Sequence, residues 1–237
     1  GDGQKLSLRY QSNGRFFRSI NASFTEPWLG GKKRNSLTFG FNNTKYAEYN
    51  TKIDANGMYT YDREYARNHY ILINGASVGI GKQLRWPDDW FSIMYTLNYT
   101  KYKLVNYNIG AGTGGFPFTN GSSDNVSLKI ALARNSVSDP IFPRNGANIG
   151  LSVQFTPPYS LFGKSNYTQE DAYKRPEYHK WRFNSEWYVP LGRARGEDKN
   201  RQFVLKLAAK YGIMGRYNSK FDYSPFERFQ LGDAGMQ

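Results

Sequence analysis

Residues 91–100, with the sequence FSIMYTLNYT, alternate apolar and polar side chains, with Met94 as the one exception. Successive side chains of a β-strand point to opposite faces, so this stretch predicts a strand with one apolar and one polar face. The same period of two returns along the chain, and we count nine predicted strands. They cover residues 6–10, 20–24, 37–41, 70–84 (less regular than the others), 91–99, 126–132, 149–155, 181–189 and 203–209. The sequence therefore predicts an all-β fold.

The composition of the chain excludes several classes of protein. It has 237 residues, of which none is cysteine and two are histidine. A disulfide scaffold and Cys/His zinc chemistry are therefore excluded. No apolar run approaches the about 18 residues that mark a membrane helix, and residues 1–10 lack the apolar core of a signal peptide. The chain is predicted either to be soluble or to cross a membrane as strands.

A formal net charge of +13 raises the question of a nucleic acid partner. Binding of nucleic acid uses clustered lysine and arginine side chains that contact phosphates. Here the basic residues are scattered, apart from residues 32–34 and 193–201. We therefore expect no nucleic acid partner. We place the basic residues in solvated loops, in a hydrated interior, or against lipopolysaccharide phosphates, which cations bind by charge-assisted hydrogen bonds.

Two architectures produce rows that are apolar on one face: a soluble β-sandwich and a transmembrane β-barrel. Several rows approach the about 9 to 11 residues of a tilted membrane strand, whereas strands of globular sheets cluster near about 5 to 6. The tryptophans lie near predicted strand ends, as in the aromatic girdles of barrels: Trp28, Trp86, Trp90, Trp181 and Trp187. The opposite faces carry small polar residues and single charges, which suit a hydrated lumen. The candidate lumen-facing residues are Arg9, Lys129, Glu186, Lys206 and Lys210.

The connections between the predicted strands alternate between compact and long. The compact ones are residues 26–35, 85–89, 138–146 and 191–201, and the long ones are residues 46–68, 103–123, 158–180 and everything after Gly212. Only residues 12–15 form a short turn on the long side. Outer-membrane barrels have short periplasmic turns and long outer loops, so the alternation also favours a barrel.

Patterns typical of enzymes lack their structural context. Residues 110–115, GAGTGG, match G-x-G-x-x-G, but no helix is predicted after them to receive a pyrophosphate. His69 and His179 are far apart in sequence, and no catalytic triad or supported acid–base pair is apparent. We expect no enzymatic activity, no metal site and no cofactor.

Four motifs occur in the order and spacing of one protein family. They are FTEPWLGGKK (24–33), SDPIFPRNG (138–146), WYVPLG (187–192) and PFERFQLGDAG (225–235). Together they resemble the barrel of the BamA family of outer-membrane assembly factors, in particular its Bacteroidota-type form. The resemblance covers essentially the whole chain and implies an antiparallel transmembrane β-barrel of about sixteen strands, an even number as such barrels require.

The resemblance also implies that residues 1–237 are one incomplete barrel domain. The nine predicted strands resemble the third to the eleventh strand of the family, followed by the start of its sixth outer loop. The periplasmic POTRA domains, the first two strands and the closing strands are absent from these residues.

The function that the resemblance implies is that of the central subunit of the β-barrel assembly machinery. Such a subunit lies in the outer membrane of a Gram-negative bacterium, and it folds and inserts client β-barrels without ATP. A client strand pairs with an edge exposed at a lateral seam of the barrel. The implied partners are unfolded barrel clients, other subunits of the machinery including lipoproteins, and outer-membrane lipid and lipopolysaccharide.

Two groups of residues follow from the motifs. The compact connections would form periplasmic turns, because proline fixes φ without donating a hydrogen bond and glycine adopts a positive φ. The turn residues are Pro27, Trp28, Gly30, Asp139, Pro140, Pro143, Gly146 and Pro190. The loop that folds back into the lumen would start at Phe226, Glu227, Arg228 and Phe229.

Two other interpretations stay open. A porin or a secretion-type barrel would use the same fold to pass solutes or polypeptide. A soluble β-rich protein would use exposed aromatic and basic side chains to bind carbohydrate or nucleic acid, and would stay in solution without detergent.

Overall fold

The structure is a computed structural model that describes residues 3–14, 16–31, 34–55, 57–108, 119–162, 167–195 and 201–228. Its strands are β1 Lys5–Asn13, β2 Phe17–Glu26, β3 Asn35–Ala47, β4 Thr51–Ile53, β5 Tyr59–Tyr61, β6 Tyr70–Gln83, β7 Phe91–Val105, β8 Gly121–Asn135, β9 Gly146–Phe155, β10 His179–Arg195 and β11 Arg201–Gly215. Nine of them form one sheet in the order β1-β2-β3-β6-β7-β8-β9-β10-β11, and all neighbours are antiparallel. The predicted all-β fold with nine antiparallel strands is confirmed.

The long connections contain the remaining elements. β4 and β5 form a separate two-stranded sheet, and α1 (Arg63–Asn68) follows them before β6. α2 (Tyr159–Phe162) and α3 (Gln169–Lys174) lie between β9 and β10. Asp62 and Thr168 begin α1 and α3, since each side chain accepts hydrogen bonds from backbone N–H groups of the first turn. No helix in the described parts of the chain is long and apolar enough to cross a membrane.

The register between strands sorts the side chains of the large sheet into two faces. Leu97 on β7 pairs with Val78 on β6 and with Leu128 on β8, so apolar side chains form a row across the strands. One residue further along β7, Asn98 pairs with Ser127 on the opposite face. We call these the apolar face and the polar face.

The apolar face has no second sheet over it among the described residues. Leu97 is 50% exposed, Phe41 is 51% exposed and Leu207 is 53% exposed. A soluble sandwich would bury such a row against its second sheet, whereas a membrane barrel exposes it to lipid. The exposure of this face therefore indicates a sheet that crosses a membrane.

The antiparallel order places successive connections at opposite ends of the sheet. The connections β2–β3, β6–β7, β8–β9 and β10–β11 lie at one end, which we call the short-loop end. The connections β1–β2, β3–β6, β7–β8 and β9–β10 lie at the other, the long-loop end, together with the residues after β11. In the described sheet, β1 and β11 are the two edges and each pairs with one strand.

Candidate functional site

Asp139 organises the connection between β8 and β9 at the short-loop end. Its Oδ1 atom accepts hydrogen bonds from the backbone N–H groups of Ile141 at 2.7 Å and Phe142 at 3.0 Å. The N–H groups of Phe142 and Ile141, and to a lesser degree the charge of Arg144, hold the pKa of Asp139 below its ordinary value. The carboxylate is thus fixed as an acceptor inside the turn.

Gly146 starts β9 with a φ of 102°, a conformation that favours glycine. A Cβ atom at this position would clash with the backbone carbonyl oxygen of Ser136. Pro140 is exposed and Pro143 is half-buried in the same connection. These predicted turn residues therefore lie together beyond the sheet, and their position in the periplasm stays a prediction.

The other predicted turn with a proline and a glycine connects β2 and β3 and contains Pro27, Trp28 and Gly30. Gly30 has a φ of 66° within a short 3-10 turn, Leu29–Gly31. The backbone N–H of Trp28 donates to Glu26 Oε1 at 3.2 Å, and the Trp28 side chain is exposed. An exposed tryptophan at this end of the sheet suits the interfacial girdle of a barrel.

Two ion pairs at the short-loop end join the β6–β7 connection to the β2–β3 connection and to the end of β8. Arg34, just before β3, pairs with Asp89 of the β6–β7 connection at 2.8 Å. Arg134, near the end of β8, pairs with Asp88 at 2.9 Å. Exposed pairs contribute about 0 to 1 kcal/mol each, so these contacts align the turns more than they stabilise the fold.

Pro190 lies inside β10 and not in the turn that the sequence predicts for it. It pairs with Val204 of β11. β9 pairs with β10 only as far as Tyr188, so at Pro190 the strand has one neighbour. A strand accepts proline where one side carries no ladder, because proline has no N–H to donate. The strand consequently continues to Arg195.

The five candidate lumen-facing residues lie on the polar face by register, and three of them lie close together. Glu186 on β10 and Lys206 on β11 form an ion pair at 3.1 Å. The Tyr188 hydroxyl donates to Glu186 at 3.2 Å. Lys210 is near enough for its charge to act on Glu186. These residues make a small charged group on the last two strands.

Arg9 and Lys129 lie apart from that charged group. Arg9, on β1, lines a hollow of the polar face with Ser7 and Asn42. Lys129, on β8, is half-buried and has Arg182 as a charged neighbour. The five candidates therefore share a face without forming one site.

The segment after β11 turns back over the polar face, and Glu227 makes its main contacts there. Glu227 Oε1 accepts hydrogen bonds from Asn125 Nδ2 at 2.5 Å and from the Tyr102 hydroxyl at 3.1 Å. The Lys180 ammonium donates to the backbone carbonyl oxygen of Glu227 at 2.8 Å. Tyr102, Asn125 and Lys180 lie on β7, β8 and β10. With Tyr178, these residues form what we call the Glu227 anchor.

Phe226 adds an apolar contact to the anchor. Its ring stacks on the Tyr102 ring with the centroids 4.4 Å apart and an angle of 13° between the planes. Such aromatic pairs contribute about 0.5 to 1.5 kcal/mol beyond the area they bury. Tyr102 therefore holds two consecutive residues of the segment, one through its ring and one through its hydroxyl.

A buried network of polar side chains surrounds the Glu227 anchor on the sheet. The Tyr178 hydroxyl accepts hydrogen bonds from Asn125 Nδ2 at 3.1 Å and from Gln154 Nε2 at 2.9 Å. Gln154 Nε2 also donates to Ser127 Oγ at 3.0 Å. Tyr178 is 1% exposed and Asn125 is 4% exposed. Buried polar groups need hydrogen-bond partners, so this network depends on the segment that covers it.

Electrostatics favour a neutral phenol next to the Glu227 carboxylate. Burial, and in second place the negative charge of Glu227, raise the pKa of Tyr178 above its ordinary value. Lys180 is 6% exposed, and its positive charge interacts with Glu227. A buried lysine is costly without a partner, so Lys180 and Glu227 stabilise each other in this position.

A second set of contacts holds the segment between β11 and Glu227. The backbone N–H of Asp222 donates to Gln169 Oε1 on α3 at 2.9 Å. Arg216 donates to the Phe221 carbonyl oxygen at 2.6 Å, and the Phe221 ring meets the edge of Tyr167 at 5.2 Å between centroids. The segment is therefore fixed both to the strands and to the β9–β10 connection.

The residues predicted to start the lumen-folding loop differ in their contacts. Phe226 and Glu227 contact the polar face, and Arg228 is exposed. Phe229 lies outside the described residues. Around these positions and elsewhere in the described chain, no three His, Cys, Asp or Glu side chains are placed to hold a metal ion.

Sequence reasoning did not single out the partners of Glu227, which are Tyr102, Asn125, Tyr178 and Lys180. Polar residues are expected at every second position of a half-buried strand, so none of the four stands out by its spacing. Their convergence appears only once the pairing of β7, β8, β9 and β10 is known.

Comparison with known proteins identifies this architecture. Residues 1–235 match the Omp85 superfamily domain. The crystal structure of BamA from Haemophilus ducreyi lacking POTRA domains 1–3 superimposes with a TM-score of 0.61 over 99% of this chain, at 19% sequence identity. The chain spans 39% of the length of that solved chain, and at this identity the likeness shows the fold alone. No curated protein matches the sequence.

Proposed function

Because this chain belongs to the Omp85 superfamily, we propose that it is part of the barrel of an outer-membrane assembly factor. Such a factor folds and inserts client β-barrel proteins without ATP, and the energy comes from the folding of the client itself. The family and the fold belong to outer-membrane proteins of insertion and assembly. The role of central subunit in a multi-subunit machinery is our proposal.

The proposed mechanism uses the backbone of a barrel edge. At a seam between the first and last strands, unpaired N–H and C=O groups accept a client strand by β-augmentation. In this proposal the nine strands are the third to the eleventh of about sixteen, an even number as such barrels require. They form the wall of the barrel away from the seam, and Arg9, Lys129, Glu186, Lys206 and Lys210 line its lumen.

The observation that carries the proposal is the Glu227 anchor. A segment that leaves the last described strand at the long-loop end is tied to the polar face by Tyr102, Asn125 and Lys180. We assign it to the start of the sixth outer loop, directed into the lumen. The same contacts tie the position of this loop to the strands of the barrel wall.

The proposed partners follow from the same assignment. They are unfolded β-barrel clients, lipoproteins and other subunits of the assembly machinery, and the lipid and lipopolysaccharide of the outer membrane. The proposed location is the outer membrane of a Gram-negative bacterium of the Bacteroidota type. The predicted turn residues at the short-loop end would then face the periplasm.

A reconstitution experiment tests the proposal. The full-length protein is inserted into phospholipid vesicles, and a urea-unfolded eight-stranded barrel is added without nucleotide. Folding of the client is followed by its heat-dependent migration on a gel, against empty vesicles and vesicles with a porin. We expect faster folding only with the full-length protein. Solute flux through these vesicles without any acceleration of folding would favour a porin and contradict the proposal.

A further inference from the structure

Three cations lie in one cross-strand row of the apolar face, near the long-loop end. Arg18 on β2 pairs with Lys45 on β3. Lys45 pairs with Leu72 on β6, and Leu72 pairs with Lys103 on β7. We call Arg18, Lys45 and Lys103 the cationic row.

The depth of the cationic row follows from its distance to the other end of β7. The exposed Trp90, next to the first residue of β7, suits the interfacial girdle at the short-loop end. From Phe91 to Lys103 the strand rises about 40 Å, or about 30 Å along the axis of a barrel with tilted strands. The hydrocarbon core of a bilayer is about 30 Å thick. The cationic row therefore lies at the opposite hydrocarbon boundary, at the level of the lipid headgroups.

No carboxylate of the described residues pairs with the cationic row. Arg18 and Lys103 are exposed, and the Lys45 ammonium lies 4.0 Å from the centroid of the Tyr70 ring. Like charges directly opposite each other on neighbouring strands destabilise a sheet, and Arg18 and Lys45 are such a pair. An anion bound between them would remove this repulsion.

The next row toward the membrane centre is different. There Lys101 pairs with Asp124 at 3.7 Å, and the Tyr99 hydroxyl donates to the same carboxylate at 2.6 Å. The protein thus supplies its own counter-charge for Lys101, one row deeper. It supplies none from the described residues for the cationic row at headgroup depth.

We propose that the cationic row binds anionic groups of lipopolysaccharide, chiefly its phosphates, in the outer leaflet. The inference rests on the proposed outer-membrane location, with the long-loop end outside. An arginine guanidinium binds phosphate oxygens in a bidentate manner, and a neighbouring lysine adds a point charge.

The length of the row selects lipopolysaccharide over an ordinary phospholipid. Neighbouring strands lie about 4.8 Å apart, so Lys45 is one strand from Arg18 while Lys103 is two strands, about 10 Å, from Lys45. A single phosphate reaches Arg18 and Lys45. A headgroup with several anionic groups reaches all three cations.

Lipid binding by the full-length protein in detergent tests the inference. The probes are phosphorylated lipid A, the same lipid A after removal of its phosphates, and phosphatidylglycerol. The test variant combines Arg18→Gln, Lys45→Gln and Lys103→Gln. The control variant combines Lys52→Gln, Lys174→Gln and Lys220→Gln, which removes the same charge from the long-loop end outside the row. Native heat-dependent migration on a gel confirms that both variants are folded.

We expect the test variant to bind phosphorylated lipid A at least about tenfold more weakly, because charge-assisted hydrogen bonds are lost. The control variant should bind as the unmodified protein does, and dephosphorylated lipid A should bind weakly to all three proteins. Equal losses in both variants, or equal effects on phosphatidylglycerol and lipid A, would overturn the inference. Because this assay measures no client folding, its failure is distinguishable from failure of the proposed function.

Discussion

Asn125 and Glu227 are separated by 102 positions in sequence, yet the Asn125 side-chain amide donates a hydrogen bond to Glu227 Oε1 at 2.5 Å. Asn125 belongs to the middle of the strand wall, and Glu227 belongs to the segment that follows β11. A displacement of β8 therefore acts directly on the path of that segment. This contact gives the wall and the loop a physical connection.

Replacement of Glu227 by alanine should destabilise the barrel. It leaves the buried amide of Asn125 and the hydroxyl of Tyr102 without their shared acceptor. Loss of a partner for buried donors costs about 1 to 3 kcal/mol. The free energy of unfolding in urea, measured on the full-length protein in detergent, checks this value.

The matched control for that variant is Glu170→Ala. Glu170 is exposed, and its ion pair among the described residues is with Lys174 of the same helix at 2.8 Å. Its removal should cost no more than about 0.5 kcal/mol. Equal losses in the two variants would contradict the role that we assign to Glu227.

Tyr102 makes two contacts that can be separated by substitution. Tyr102→Phe removes the hydrogen bond to Glu227 and keeps the stacking on Phe226, so it should cost about 1 kcal/mol. Tyr102→Leu also removes the stacking and should cost a further about 0.5 to 1.5 kcal/mol. In a Glu227→Ala background, Tyr102→Phe should have almost no effect, as measured by a double-mutant cycle. Additive losses would show that the two residues do not interact.

Gly146→Ala should be much more disruptive than Gly14→Ala, although both glycines have positive φ. At Gly14, with φ 57°, an added Cβ has nothing within 4 Å, so only backbone strain of about 1 to 2 kcal/mol is expected. At Gly146 the added Cβ would also clash with the backbone carbonyl oxygen of Ser136. The check is the loss in free energy of unfolding that each variant causes. Similar losses in Gly146→Ala and Gly14→Ala would contradict the close packing of the β8–β9 turn.

The sequence predicted the sheet and the positions of its connections well, but it missed the short elements inside the long connections, for physical reasons. A period of two specifies both the strand and its two faces, so the row from Phe91 to Tyr99 was sufficient to place β7. The helices and the β4–β5 sheet were missed because they are short and lie within long connections. Pro190 was placed in a turn because its tolerance within β10 depends on where β9 stops pairing, which periodicity does not record.

The candidate site was also predicted only in part. Phe226 and Glu227 were singled out through a motif, whereas their partners came only from the pairing of distant strands. The cationic row also escaped notice, because Arg18, Lys45 and Lys103 are single charges in three separate stretches of sequence. The pairing register of β2, β3, β6 and β7 brings these three residues into one row.

Asp139 makes the stability of the β8–β9 turn depend on pH. Hydrogen bonds from the backbone N–H groups of Phe142 and Ile141 hold its pKa below 3.8, its ordinary value. A carboxyl group with a lowered pKa stabilises the turn above its unfolded pKa, and the stabilisation is lost as the pH falls through the folded pKa. The amide resonances of Ile141 and Phe142 should therefore titrate together with a midpoint below 3.8.

The control for this titration is Asp139→Asn, in which the low-pH transition of both amides should disappear. A midpoint at or above 3.8 in the unmodified protein would show that the N–H groups do not bind the carboxylate.

The central claim, that this sheet crosses a membrane with its polar face inward, is tested most directly by labelling of two adjacent positions. Ser7 and Leu8 are both exposed on β1, on opposite faces, and the sequence contains no cysteine of its own. Ser7→Cys and Leu8→Cys are made in the full-length protein, and membranes are treated with a charged maleimide. We predict that the cysteine at position 7 is labelled in intact membranes. The cysteine at position 8 should be labelled only after the membrane is dissolved in detergent and the protein is denatured. Equal labelling of both positions in intact membranes would contradict the account.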